Sequence, residues 1–382
     1  MQVAPLVCFA SDIKGLKEER KITITDQLAG SPLPGSRPAS VWAVSFSPDE
    51  AYIAVGVEFT KKKNSRAPLE ADKSYLLIFQ TQDPGVVFKK FEIPRHPAMR
   101  FYPPLRWSSD SRYIATPFYG DWQHIAIAEI RSEKVTVMDN QHCRLEGLLP
   151  GPQVVQSCTS AGPGSLIRFT GARGETLREW PFPQAMSVLG VDSSLAMVAV
   201  ATGGRFKTTP KTHEIVVFDS KDRTKIRHWS LPRGAPYFGS FANSGTTLCT
   251  METSPTRDAT DLICWDIESG SESLQQTLPS GQSVFMIGGG KLIGIEHHGE
   301  KKVPRLLQSL AQTNIVMTNP VRLIWDVRSA RETAELPIRT QWVLPGVDAP
   351  YAWTISPVGD FVAEGGTGAV TIYRVIGTGN RR

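Results

Sequence analysis

The residues of this chain whose types could do chemistry are five cysteines, a paired histidine, a triple glycine and three clusters of basic residues. Cys8, Cys143, Cys158, Cys249 and Cys264 form no CxxC, and none sits with a histidine at zinc-ligand spacing. Cys249 and Cys264 fall in neighbouring expected strands and could face each other. A core this large needs no covalent staples, so buried free thiols are expected instead. Glu296, His297, His298 and Glu300 offer metal-ligating types. No distant partner completes a set, so they read as a solvated loop. His96 and His228, near unit ends, read as packing or surface residues. Gly288-Gly289-Gly290-Lys291 resembles a phosphate-binding loop only superficially. It lies between two expected strands with no helix behind it, which makes it a hairpin turn. Neither GxSxG nor HExxH occurs. The chain reads as non-catalytic, with no catalytic residue, metal or cofactor assigned.

Lys and Arg number 42 against 37 Asp and Glu, a net charge of +5 with both signs interspersed. That balance alone says little about a nucleic-acid partner. The clustering says more. Lys61, Lys62, Lys63 and Arg66 lie in one long polar insert, 58–73. Arg205, Lys207 and Lys211 lie in a second, 203–213, and Lys301, Lys302 and Arg305 in a third, 296–320. A fourth insert, 252–260, is not basic. In the third, Pro304 with Leu306, Leu307 and Leu310 has the spacing of a short capping helix. Tyr119 and Trp122 near another loop tip could stack on a ligand, although core packing accounts for them as well.

The elements that must position these inserts are short strands. Val41–Gly56 (VWAVSFSPDEAYIAVG) is an alternating run, a turn at Ser47–Glu50 and a second apolar run, so a hairpin. The unit returns in degraded form down the chain. Prolines 94, 150, 183, 232, 279 and 337 close successive units, and proline, with no N–H, suits the place where a strand leaves a sheet. Four strands per unit at about 40–50 residues is the signature of a β-propeller. We read an all-β, seven-bladed propeller of four-stranded antiparallel blades in a single domain, 1–382. The blades fall at 41–94, 95–150, 151–183, 184–232, 233–279, 280–337 and 338–382, with six or eight blades as alternatives. Unit three is expected to squeeze four strands into about 30 residues. The last unit lacks an outer strand, and Ile22–Thr25 in the segment 1–40 is a spare one that would close the ring.

The segments SFSPDE, WSSDS and ISPVGD, with the third-strand endings VVFDS, ICWDIESG and LIWDVRSA, resemble the WD40-repeat family. Trp265-Asp266 and Trp325-Asp326 match its Trp-Asp signature, and Phe218-Asp219 approximates it. No Gly-His pair precedes a first strand, and the usual Asp before the third strand is mostly missing. The family's Trp–Ser/Thr–His–Asp hydrogen-bond network is therefore expected to be incomplete. The resemblance implies a non-catalytic scaffold that binds another protein.

In a propeller the inserts, each between a second and a third strand, emerge on one face, so the basic residues named above are expected to form a shared binding rim. One alternative is an enzyme or small-ligand site in the central channel, which the apolar inner strands (VWAVSF, PLRW, YFGSF, SVFMI, YAWTI) argue against. Another is anion or nucleic-acid binding by the basic rim. No apolar run approaches membrane-spanning length. With no signal-like N-terminus, the expectation is a cytoplasmic, monomeric propeller; a secreted or periplasmic origin with a missing start is the alternative.

Overall fold

The apolar–polar alternation of the short runs makes strands that bury at least one face. The computed structural model organises them as seven four-stranded antiparallel sheets. It describes residues 15–24, 40–59, 73–93, 105–118, 124–140, 143–159, 164–184, 186–192, 194–202, 213–231, 236–253, 259–279, 284–301, 317–329, 331–337, 352–366 and 368–376. Strand β1 (Leu16–Thr23) belongs to the last sheet. Blade one is β2 (Ser40–Phe46), β3 (Tyr52–Phe59), β4 (Lys73–Gln80) and β5 (Val87–Ile93). Blade two is β6 (Arg106–Trp107), β7 (Tyr113–Phe118), β8 (His124–Glu129) and β9 (Lys134–Asp139). Blade three is β10 (Cys143–Leu149), β11 (Gln153–Thr159), β12 (Ser165–Thr170) and β13 (Thr176–Phe182). Blade four is β14 (Met186–Asp192), β15 (Met197–Thr202), β16 (His213–Asp219) and β17 (Lys225–Leu231). Blade five is β18 (Pro236–Ala242), β19 (Thr247–Thr253), β20 (Ala259–Asp266) and β21 (Glu272–Pro279). Blade six is β22 (Val284–Gly289), β23 (Leu292–Lys301), β24 (Met317–Asp326) and β25 (Arg331–Pro337). Blade seven is β26 (Trp353–Ile355), β27 (Phe361–Gly366) and β28 (Ala369–Val375), with β1 outermost.

The first strands of successive blades neighbour one another around the ring, which places them at its centre. The core is correspondingly divided. Seven apolar clusters each straddle one junction between adjacent blades. Trp42 and Phe91 of blade one, for example, share a cluster with Trp107 and Ile114 of blade two. Each blade is therefore buried on both faces, which explains why so many third strands read as continuous apolar runs. The opening hairpin turn is held by its own serine. Ser47 Oγ donates to Asp49 Oδ1 at 2.6 Å and accepts from the Tyr52 amide at 2.9 Å. Ser108 with Asp110 and Tyr113 repeats this at 2.5 and 3.0 Å.

The ring closes as expected, through an N-terminal strand, but that strand starts earlier than Ile22 and ends at Thr23. It is β1, which runs through the charged stretch Lys17–Lys21 and pairs antiparallel with β28 from Leu16↔Val375 to Thr23↔Ala369. Its five consecutive exposed residues hid it from a reading that looks for apolar alternation. An outermost strand can carry such charges because one edge faces water, and charge there also discourages strand addition. Leu16 joins the cluster between blades six and seven, while Ile22 and Ile24 join the one between seven and one.

Three further expectations are corrected. Blade three begins at Cys143, not 151, because Cys143–Leu149, taken for an irregular end of unit two, is its inner strand. The sequence CRLEGLL alternates poorly because a bulge falls between Leu145 and Gly147. The insert 296–320 is shorter than expected, since β23 and β24 stay paired from Leu292↔Asp326 out to Lys301↔Met317, taking in His297 and His298. Finally, the four cysteines among the described residues are not free thiols, while Cys8 lies outside them. Cys143–Cys158 and Cys249–Cys264 are disulfides, each joining directly opposed residues of adjacent strands.

A side-chain device also recurs that was not legible beforehand. In four blades the residue just past the bulge of the outer strand is a cation: Lys89, Arg178, Arg227 and Arg20. Each addresses the turn before the outer strand of the next blade. Lys89 pairs with Glu133. Arg178 interacts with Asp219. Arg227 Nε donates to the Ile267 carbonyl at 2.7 Å. Arg20 donates to the Thr81 and Gln82 carbonyls at 3.0 Å.

Candidate interaction face and central channel

Strands alternate direction within every blade, so the connections from second to third strand leave the ring at the same end as the links between blades. In blade one that connection is 60–72, in blade four 203–212, in blade five 254–258 and in blade six 302–316. Lys61, Lys62, Lys63, Arg66, Arg205, Lys207, Lys211, Lys302 and Arg305 lie outside the described residues. Lys301 ends β23, opposite Met317. The topology thus directs the strand ends flanking all these residues to one face, including β3 at Phe59 and β4 at Lys73. Tyr119, Trp122, His96 and the segment containing Leu306, Leu307 and Leu310 also lie outside the described residues. His228, on β17, is an exposed residue 3.6 Å from Glu214.

The opposite face is built from tight turns, several of which touch the turn of a neighbouring blade. Glu50 Oε1 accepts the Val358 amide at 2.7 Å, and the Asp49 amide donates to Ser111 Oγ at 3.2 Å. The Asn243 amide donates to the Gly290 carbonyl at 2.5 Å, and Arg328 Nε donates to Asn243 Oδ1 at 3.1 Å. At Gly290 (φ 53°) a side chain would meet the Pro357 and Val358 backbone, so the triple glycine serves as a close-packed turn.

Family-type hydrogen bonding is partial, as expected. Trp265 Nε1–H donates to Thr250 Oγ1 at 3.3 Å in blade five, whereas the buried Trp325 Nε1 has no acceptor among the described residues. Blade three carries a different buried polar chain. Thr170 Oγ1 donates to Gln156 Oε1 at 3.1 Å, Gln156 to Asn140, and Asn140 to the Cys143 carbonyl.

The inner strands hold the feature that sequence reading missed. Arg106 of β6 and Arg144 and Glu146 of β10 lie on adjacent innermost strands. Glu146 is largely buried and accepts from Ser157 Oγ at 2.5 Å, with Arg144 Nε 3.6 Å away. Burial, the main cause, lowers the Arg106 pKa; Glu146 opposes that shift and Arg144 adds to it. Arg106 nonetheless keeps part of its surface open to water. It stands on the first strand of its blade, the strand nearest the centre of the ring. The signal was present in CRLEGLL and PLRW. It was lost because the first was not recognised as an inner strand.

No family model matches the chain, and no curated protein matches it in sequence. Solved structures do. A chain of a structure titled "Crystal Structure of Mitotic Checkpoint Complex" superposes with a TM-score of 0.55 at 13% identity, over 98% of this chain and 97% of that one. The Myceliophteria thermophila Cps50 (Swd1) β-propeller domain superposes with a TM-score of 0.53 at 11% identity, over 88% of this chain and 100% of that one. With seven four-stranded sheets in a ring and these neighbours, the chain has the fold of a seven-bladed β-propeller.

Proposed function

We propose that this chain is a non-catalytic interaction scaffold that binds a protein partner through the face carrying the long inserts. The observation that carries this reading is the segregation of the two faces. One consists of short turns, bonded to each other at several blade junctions, and the other receives every long connection between second and third strands. A closed ring buried blade against blade supplies a rigid base, and variable connections on one face supply recognition without disturbing it. The two structural neighbours also support it: one is titled as a complex and the other as a propeller domain.

Lys61, Lys62, Lys63 and Arg66, with Arg205, Lys207, Lys211, Lys301, Lys302 and Arg305, are the contact residues of this reading, suited to a partner with an acidic surface. The test is affinity capture from native lysate by the wild type and by a Lys61→Glu, Lys62→Glu, Lys63→Glu variant, both first shown to be folded by circular dichroism. A partner held by the wild type and lost by the variant supports the face. A partner held equally by both moves the site elsewhere on the ring. Capture by neither overturns the scaffold reading.

A further inference from the structure

We propose that the central channel, at the junction of blades two and three, binds a protonated oxyanion: phosphate or a phosphate monoester. The argument uses the repeat as its own control. On the inner strands, register shifts mark one extra, bulged residue in four blades: Trp42, Glu146, Leu189 and Tyr237. Three are large and apolar or aromatic; Glu146 alone is a carboxylate. The residue two places before the first turn gives a second comparison. Ser45, Gly147, Gly190, Ser240 and Thr354 occupy it in five blades and Ile287 in a sixth. The hydroxyls of Ser45, Ser240 and Thr354 turn back onto the next carbonyl of their own strand at 3.4–3.5 Å. Blade two alone places a cation there, Arg106. Both departures fall on neighbouring strands, and both introduce charge into the most enclosed part of the ring.

Charge buried at two departures from a repeat costs stability unless something compensates it. The compensation is incomplete among the described residues. Arg106 Nε is buried and has no acceptor among the described residues. Glu146 Oε1 is satisfied by Ser157 and lies near Arg144, whose side chain is 61% exposed and free to swing. Two guanidinium groups and one carboxylate leave a net positive site. Arginine suits it, because its planar donors match the oxygens of a tetrahedral anion. The carboxylate then selects the anion. Inorganic phosphate near neutral pH retains a P–OH, and a monoester retains one below its second pKa of about 6; that P–OH can donate to Glu146 while the other oxygens accept from Arg106 and Arg144. Sulfate is fully ionised and can only repel Glu146. The site is independent of the basic rim, so it stands or falls separately from the scaffold reading.

Calorimetric titration of the full chain with inorganic phosphate, O-phosphoserine and sulfate, at about pH 6 where both phosphate ligands carry a P–OH in a large fraction, is the test. Wild type should bind one phosphate species per chain at least about tenfold more tightly than sulfate. The tighter of inorganic phosphate and O-phosphoserine tells a free ion from a monoester. Arg106→Gln should lose about tenfold or more in phosphate affinity. Glu146→Gln, which replaces an acceptor with an amide donor, should bring sulfate to within about threefold of phosphate. Equal binding of phosphate and sulfate by wild type overturns the proposal, as does no saturable binding up to about 10 mM. Undiminished binding by a folded Arg106→Gln does so too. Where a variant does not fold, the phosphate-to-sulfate ratio of wild type decides alone.

Discussion

At the scale of single residues, the buried ion pair between blades six and seven has the largest expected energetic consequence. Arg322 is fully buried on β24; its Nη1 lies 2.5 Å from Glu364 Oε1 of β27, and its guanidinium sits 5.2 Å from the Trp353 ring centroid. The two partners are not equivalent. Glu364 keeps partial access to water, whereas Arg322 has none. Glu364→Ala should therefore destabilise, by up to about 3–5 kcal/mol, because it takes an ion-pair carboxylate away from a fully buried cation. Arg322→Met should cost clearly less, since the remaining carboxylate can hydrate and methionine refills the space. Urea denaturation of the two variants measures this difference. Equal losses would show that packing, not charge, dominates the position. Neither residue stood out in the sequence. Arg322 is the second residue of the run VRLIWDV, and only the junction of two blades places Glu364 against it.

At the scale of elements, strand register explains what composition could not. Cys143 opposes Cys158, and Cys249 opposes Cys264, each pair 15 residues apart. Non-reducing peptide mapping should recover these two linkages. Replacing either pair with serine should cost about 3 kcal/mol by the loop-entropy estimate for a closure of this length. Cys249 and Cys264 are fully buried while Cys158 retains slight exposure, so reductant should open Cys143–Cys158 first. The outer-strand cations make a second element-level prediction. Arg227 bonds two carbonyls of the next blade, and Trp229 Nε1 reaches the Gly270 carbonyl of the same turn at 2.9 Å. Arg227→Ala should cost about 1.5 kcal/mol in thermal or urea unfolding. No change would reduce the clasp to a surface contact. At the equivalent register position, blades five and six carry Leu274 and Ala334, both buried, so there an apolar contact takes the place of the cation.

At the scale of the whole molecule, stability depends on closing the ring. Removing residues 1–29 would delete β1 and with it Leu16, Ile22 and Ile24, each buried and worth about 1.5–3 kcal/mol. That sum is comparable with the net stability of a domain. The truncated chain should melt at a much lower temperature or fail to fold; an unchanged midpoint would mean the ring does not need its N-terminal strand. The same seam carries a pH dependence. Arg374 donates two hydrogen bonds to Glu19, at 2.6 and 2.8 Å, and this contact holds the Glu19 carboxyl below its ordinary value. A carboxyl depressed in the folded state stabilises it above the ordinary value near 4.5 and loses that contribution as pH falls through the lowered value. The midpoint should therefore drop as pH falls below about 4.5, and drop less in Arg374→Ala.

The sequence by itself determined the repeat, the seven third strands and the need for an N-terminal strand to close the ring. Each follows from local patterns: alternation, turn residues such as Ser47-Pro48-Asp49, and prolines where strands end. It also determined on which side of each blade the long connections emerge, because antiparallel pairing leaves only one choice. It misjudged whatever depends on a partner far along the chain. The charged residues of β1 make sense only beside β28, and Cys143 only opposite Cys158. Arg106 and Glu146 acquire meaning only when two inner strands come together around the channel. Secondary structure is largely encoded in near neighbours, whereas register across blades, disulfide pairing and the electrostatics of an enclosed channel arise only when distant segments meet.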